Sequence, residues 1–574
     1  MKKVWKGFAA AVSAAAIAAT GFIGATSAYA DDPAPAPATT GTISINNALT
    51  NDAFSAYRLL SLTNSGNAIS YNLINGVDSA ETTALVTAIN TTNNKAEGQA
   101  GYLKAPAADA SDNVKNAFKD DVIAAIDVFK GDDSANMRKF AANLITAVKA
   151  NNVAAAKTAT ATADATADAP LKIEGLQPGY YLVDQTAPSG DQTGSNTTLS
   201  AYLVDTVIAG STTPITLKKG TVTLEKKVQD WNDTTGKPDN PAWSDSADHD
   251  LNDKVPFQLT GTLPANYDRY DTFKYIFHDT LSNGLTFNSD VTVYALNGTT
   301  EQEITKQFTT APATAPETFT VTNNNLKAIK KDDKGADVTI NNATKIIVRY
   351  TATVNSNALM GSTGNPNTAY LEFSNNPNNG GTGTNKTPED KVIVFTYKFV
   401  VDKTFSGADA PEADDMPEFT LYKYLPTGAN DALVATKIGD PVKVTGNATD
   451  GFKAEFPRLD DGKYVVKETK VPEGFSQAPD TFFEITAKHS EGDNPALTEL
   501  KITVYTDDTF TPAKADPTSG TLTDGSVGVT IANNAGSELP STGGMGTTIL
   551  YAAGAAIVLI AGIGLAVTLR RRQA

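Results

Sequence analysis

The chain has 574 residues, a formal net charge of −17, three histidines and no cysteine. That balance argues against nucleic acid and anionic membrane surfaces as partners, and it excludes disulfides and the usual zinc sites, so no metal or other cofactor is expected. No GxSxG, HExxH or phosphate-cradling glycine loop occurs, which removes the common signatures of hydrolases, metalloproteases and nucleotide enzymes.

Lys2, Lys3 and Lys6 precede an apolar run from residue 8 to about residue 25, and Ala28-Tyr29-Ala30 forms an A-x-A site. Residues 1–30 therefore read as a secretory signal peptide cut after Ala30. Without its two ends the chain keeps about 510 residues, enough for three or four domains. Thr, Asn and Val usage with frequent Gly and Pro turns makes the fold mainly β.

A Pro/Ala linker covers 31–40, and a first domain extends to 216. It opens with a strand at 41–45 and turns helical further on. Val114, Phe118, Val122, Ile126 and Phe129 recur at three- and four-residue steps over 113–130, an amphipathic helix. Residues 134–149 repeat the pattern, with Ser134 placed as the N-cap. The Ala/Thr/Asp tract 154–169 reads as a loop or frayed helix, and strands return at 171–183 and 199–207.

Alternating apolar runs fill a second domain, 217–396, at 222–228, 275–277, 291–294, 344–354 and 369–373. Period two places Val222, Leu224, Lys226 and Val228 on one face, so Lys226 points inward and Lys227 outward. A third domain, 397–537, repeats the texture. Phe395, Tyr397, Phe399, Val401, Lys403 and Phe405 share a face; so do Tyr464, Val466 and Glu468, and so do Val527, Val529, Ile531 and Asn533. Lysine and glutamate are seldom buried unless paired. An inward Lys, Glu and Asn in one small domain is a set with a chemical use. The joints are short, so the modules are expected to stack end to end as a rod.

At the C-terminus, Leu539-Pro540-Ser541-Thr542-Gly543 is followed by an uncharged apolar run, 547–569, and by Arg570, Arg571 and Arg572. The run is long enough to span a hydrocarbon core, and the arginines supply a positive inner flank.

Residues 538–574 resemble the cell-wall sorting signal of Gram-positive surface proteins. The resemblance implies a sortase that cuts between Thr542 and Gly543 and passes the Thr542 acyl group to an amine. Lys463-Tyr464-Val465-Val466-Lys467-Glu468-Thr469-Lys470-Val471-Pro472-Glu473-Gly474-Phe475 is similar to the E-box of collagen-adhesin B-type (CnaB-like) domains. It implies a spontaneous isopeptide bond with Lys403 as amine, Asn533 as carbonyl donor and Glu468 as acid/base. Burial supplies the neutral amine and the protonated acid, and proximity replaces an external catalyst. By the disulfide chain-entropy relation, closing a loop of about 130 residues stabilises by about 5 kcal/mol.

His278-Asp279-Thr280-Leu281-Ser282-Asn283-Gly284-Leu285 resembles the D-T-L-x-x-G-L stretch of fimbrial isopeptide-forming D2 (CnaA-like) domains. It implies Asp279 as acid/base and Lys226 as amine, with Asn367, or alternatively Asn375, as carbonyl donor. In the first domain, Gly179-Tyr180-Tyr181-Leu182-Val183-Asp184 resembles an E-box with Asp in place of Glu, and Asn47 stands where a lysine is needed. No isopeptide bond is expected there.

The order of parts resembles that of a major (backbone) pilin of sortase-assembled pili. In such pilins a lysine before the second domain attacks the preceding subunit's threonine. Lys218 takes that place here, or Lys219 beside it, although the family motif's Tyr and Pro are absent. The resemblance implies tandem Ig-like β-sandwiches with helical insertions in the first and a transmembrane helix at 547–569. The implied partners are a class C pilus sortase, a housekeeping sortase, identical subunits, minor pilins and peptidoglycan. The chain would be a structural polymer subunit and not a turnover enzyme. The alternative is a monomeric adhesin or minor pilin anchored to the wall and built from the same modules.

Overall fold

Strand Lys254–Thr262 alternates without a break, with Val255, Phe257, Leu259 and Gly261 buried and their neighbours at least partly exposed. That pattern makes one face of a sheet into core, and it recurs through the computed structural model. The structure describes residues 39–65, 68–129, 135–186, 203–217, 219–238, 243–377, 383–427 and 432–536. The predicted signal peptide with Ala30, the motif Leu539, Pro540, Ser541, Thr542 and Gly543, the span 547–569, Lys218 and Ser134 lie outside the described residues.

The first domain packs two sheets. Gly41–Asn46 lies between antiparallel Leu171–Leu176 and parallel Thr212–Thr216. Opposite stand Ala68–Leu73, Ala53–Ser65, Gly179–Thr186 and Leu203–Val207. Ile43, Ile45, Phe54, Tyr181 and Val183 fill the space between.

Three helices follow Ala68–Leu73: α1 (Ala80–Thr92), α2 (Asp112–Val128) and α3 (Ala135–Ala150). They bury Leu85, Ile89, Val122, Phe140 and Leu144 over Leu59, Leu60 and Leu182 on the outer face of the second sheet. Ser79 caps α1 by accepting from the Thr82 amide. The α2 stripe lies as its spacing predicts at Phe118, Val122, Ile126 and Phe129, but Val114, in the first turn, is 49% exposed. The tract 154–169 departs from expectation: Lys157–Thr160 is a strand paired with Ala53–Ser65. An open edge beside residues 53–56 supplies backbone partners that the local composition does not reveal.

The second domain is a sandwich. One sheet runs Ser246–Asp248, Asp390–Phe395, Asn365–Ser374, Tyr275–Leu281, Phe319–Asn323 and Thr309–Pro312. The other runs Thr300–Glu303, Thr292–Asn297, Lys345–Val354, Lys254–Thr262 and Leu224–Val228. The strand predicted at 275–277 extends through Leu281, so Asp279 falls inside it.

The third domain follows after Thr396. One sheet holds Thr445–Asn447, Gly451–Leu459, Tyr397–Ser406 and Ser526–Asn534; the other runs Ala432–Lys443, Glu418–Thr427, Gly462–Lys470, Thr481–His489, Leu497–Tyr505 and Thr518–Ser519. Among the described residues no helix is long and apolar enough to cross a membrane.

Candidate functional site

In the second domain a buried polar cluster spans the two sheets. Lys226 lies on Leu224–Val228 and is fully buried, while Asp279 and Asn367 come from the opposite sheet and are also buried. Antiparallel pairing sets Asp279 against Ala369 and Leu281 against Asn367, so Asn367 lies one step along the ladder from the acid. Asn375 follows the end of the same strand, eight residues further on, roughly 27 Å away at strand rise. It is half-buried, and its amide donates to the Gly383 carbonyl.

Lys226 Nζ donates to Asp279 Oδ2 at 2.6 Å and to the Tyr350 hydroxyl at 2.8 Å. Tyr350 donates to Asp279 Oδ2 at 2.7 Å and accepts from Asn367 Nδ2 at 2.8 Å. Burial drives the Lys226 ammonium pKa down against the pull of Asp279, and it drives the Asp279 pKa up against the pull of Lys226. Both shifts favour the neutral pair, an amine beside a carboxylic acid. Asp279 Oδ1 and Asn367 Oδ1 find no hydrogen-bond partner among the described residues. A proton on the free acid oxygen is the donor that an amide carbonyl needs if it is to be polarised.

The third domain carries the same residue types, with the lysine and the asparagine on neighbouring strands of one sheet. Tyr397–Ser406 and Ser526–Asn534 run parallel, with Lys403 beside Ile531 and Phe405 beside Asn533. Lys403 is 3% exposed. Its Nζ donates to the Thr404 carbonyl at 2.8 Å and the Ile531 carbonyl at 3.1 Å, and stands 4.6 Å from the Phe405 ring centre. Burial lowers its pKa to about 8, with Glu468 opposing.

Glu468 reaches in from the other sheet. Its Oε2 accepts from the Ala478 amide at 2.7 Å and from Asn533 Nδ2 at 3.0 Å. Asn533 Nδ2 also donates to the Ser476 carbonyl at 2.5 Å. Glu468 Oε1 and Asn533 Oδ1 find no partner among the described residues, the same orphan acid and amide oxygens as in the second domain. Glu468 and Asn533 therefore touch, whereas the Lys403 ammonium rests on backbone carbonyls rather than on the acid.

The first domain builds something else at its E-box position. Asp184 is buried and pairs at 3.0 Å with Lys149 of α3, which is 58% exposed. Asn47 sits past the end of its strand in a left-handed conformation and is exposed. At the joint to the second domain, Lys219 forms an ion pair with Asp52, and both side chains are largely buried. Asp52 also accepts from Gln185 Nε2 at 3.0 Å and from the Leu49 amide at 2.7 Å.

Tyr350, Lys149 and Asp52 were not singled out by the sequence. Tyr350 is in phase with inward Val348, Ala352 and Val354, and that parity was the available signal. The side-chain partners of Lys149 and Asp52 lie in distant segments, which the local sequence does not reveal.

Two family models match the chain. Residues 417–501 match the SpaA prealbumin-like fold domain, and residues 531–574 match the LPXTG cell wall anchor motif. The chain is 28% identical over 379 residues to the trypsin-resistant surface T6 protein of Streptococcus pyogenes serotype M6. That match covers 56% of this chain and 65% of the relative. Among solved structures it is similar to the T6 backbone pilin of serotype M6 Streptococcus pyogenes, at 16% identity and a TM-score of 0.49, over 89% of this chain and all of that one. It is also similar to the Corynebacterium diphtheriae major pilin SpaA, at 14% identity and a TM-score of 0.43, over 86% of this chain and all of that one. Residues 531–574 thus carry an LPXTG cell wall anchor motif, as the sequence predicts.

Proposed function

We propose that the chain is the repeating subunit of a covalently polymerised surface pilus serving adhesion, and that two of its domains crosslink themselves. The observation that carries this reading is the buried Lys226–Asp279–Asn367 cluster, in a chain that ends in an LPXTG anchor.

In each domain the lysine nitrogen attacks the side-chain carbonyl carbon of asparagine. A C–N bond forms, the carbon–Nδ2 bond breaks, and ammonia leaves after taking up the proton that the amine gives up. Asp279 acts in the second domain and Glu468 in the third, polarising the carbonyl and shuttling protons. Asn367 is the carbonyl donor to Lys226, supported by its register beside Asp279, and Asn533 is the donor to Lys403. Each domain reacts once, so the protein is a product of its own chemistry and a substrate of sortase, not a turnover enzyme. Its domains divide at 216/217 and 396/397.

Between subunits, a pilus sortase joins Thr542 to Lys218 of the next subunit, and a housekeeping sortase joins the last subunit to peptidoglycan. Lys218 is preferred because the neighbouring Lys219 ammonium is held by Asp52. An immunoblot of wall extract tests the assembly. A high-mass ladder that collapses to monomer in Lys218→Ala supports the reading. A ladder that survives the combined Lys218→Ala and Lys219→Ala changes rejects both lysines. A wild type that shows only monomer in the wall rejects the polymer and leaves a wall-anchored adhesin.

A further inference from the structure

We propose that Tyr350 is a further catalytic residue of the second domain's crosslink, relaying to the departing nitrogen of Asn367 the proton that Lys226 gives up. This rests on the Lys226–Asn367 bond proposed above, and it adds a group that the Lys, acid and Asn set does not contain.

The Tyr350 oxygen touches both nitrogens of the exchange. It accepts from Lys226 Nζ at 2.8 Å and from Asn367 Nδ2 at 2.8 Å, and it donates to Asp279 Oδ2 at 2.7 Å. A hydroxyl offers one proton and two lone pairs, so these contacts use its whole capacity. Lys226 and Asn367 belong to different sheets, and Tyr350 comes from the Lys226 sheet and reaches across to meet the other. Its ring is fixed by stacking on Phe257 at 5.4 Å and by edge contacts with Phe319 at 5.0 Å and Phe287 at 5.8 Å. Burial and its hydrogen bond to Asp279 hold its pKa well above that of an ordinary phenol, so the hydroxyl keeps its proton until a neighbour replaces it.

The balance of the step is simple. Neutral Lys226 carries two protons on Nζ and keeps one in the amide. Asn367 Nδ2 carries two and leaves as ammonia with three. One proton must therefore cross from Nζ to Nδ2. As the carbonyl carbon becomes tetrahedral, Nδ2 regains a lone pair and turns from donor to acceptor. Tyr350 then passes its own proton to Nδ2 and takes one from Nζ, directly or through Asp279. Asp279 ends the step in the protonation state in which it began.

The third domain supplies the contrast. There Glu468 Oε2 contacts Asn533 Nδ2 directly at 3.0 Å, and among the described residues no hydroxyl bridges Lys403, Glu468 and Asn533. The two domains are therefore expected to differ in their need for a hydroxyl.

The test follows bond formation in the full chain by timed digestion and mass spectrometry of linked peptides, with the Lys403–Asn533 peptide as internal reference. Tyr350→Phe keeps the ring and removes the relay. The Lys226–Asn367 peptide is expected to form about 100-fold more slowly, at the low end of the worth of general acid–base catalysis, while the reference peptide forms at the wild-type rate. Melting of Lys226→Ala with and without Tyr350→Phe checks the fold, and equal transitions are expected. A wild-type rate in Tyr350→Phe overturns the relay and leaves the bond standing. Absence of the linked peptide in the wild type itself overturns the bond, and the relay with it. A lower melting transition from Tyr350→Phe in the Lys226→Ala background assigns the slowing to packing and overturns the catalytic role.

Discussion

Lys226 and Lys403 are both inward lysines on strands, yet water reaches them differently. Lys226 is sealed between two sheets against an acid and a phenol, whereas Lys403 sits between adjacent strands with its ammonium on two carbonyls. The Lys403 pKa lies near 8 rather than 10.5 because burial penalises the charged form. The consequence for pH can be worked out in Asn533→Ala, which leaves this amine free. Below about pH 8 the lysine is charged folded and unfolded, and the burial penalty is fully present. Between about pH 8 and 10.5 the unfolded chain still holds a proton that the folded domain has released, so stability rises with pH across that window. Denaturant melts of Asn533→Ala against Lys403→Met/Asn533→Ala should show a difference that grows from pH 8 to 10.5; a flat difference refutes the shift. Period two alone placed Lys226, Lys403, Glu468 and Asn533 inside, because a charged or amide side chain in phase with valines stands out. Tyr350 did not stand out, since a tyrosine in phase with Val348 and Ala352 reads as ordinary core. What its hydroxyl touches is contributed by segments 71, 124 and 17 residues away.

The helical insert shows the same limit for a whole element. Helices α2 and α3 were legible from spacing and α1 was not; nor was the face they cover, because it belongs to strands 53–65 and 179–186 on either side of the insert. The E-box of the first domain was legible too, and its altered residue now has a job. Asp184 is 2% exposed and takes Lys149 of α3 as its cation, which ties helix to sheet. Lys149→Met leaves the carboxylate buried and unpaired. Removing one partner of a fully buried pair costs about 3–5 kcal/mol. Lys149 is more than half exposed, so solvent screening reduces the expected loss to about 1–2 kcal/mol. The urea midpoint of the first domain's transition should fall accordingly and recover in Lys149→Met/Asp184→Leu. An unchanged midpoint in the single variant would show that the pair holds nothing.

Across the molecule, the second and third domains meet through a buried cation. Lys423 of the third domain lies 2.5 Å from Asp233 and 2.6 Å from Asp250 of the second, and 3.4 Å from Asp460 of its own. Gly361 and Gly525, both at positive φ, let the two backbones touch, since a Cβ on Gly361 would fall 2.4 Å from the Gly525 nitrogen. The proposed bonds define how tension runs through this unit. Load that enters at Lys218 or Lys219 follows the chain to Lys226, crosses to Asn367, follows the chain to Lys403, crosses to Asn533, and leaves toward Thr542. Residues 227–366 and 404–532 are bypassed, and the first domain lies outside the path altogether. Under the proposed joint at 218 or 219 a crosslink before that point has no mechanical role, consistent with an E-box whose acid serves a helix instead. Force spectroscopy on the full chain separates the cases. Pulled from residue 219 to the C-terminus, the wild type should release neither loop. Lys226→Ala should release about 140 residues, and Lys403→Ala about 130, each on the order of 45 nm of chain. Pulled from residue 39 instead, the wild type should extend through the first domain alone, at lower force than any event in the other two. Long release events in the wild type when it is pulled from residue 219 would show that the load does not cross at the two lysines.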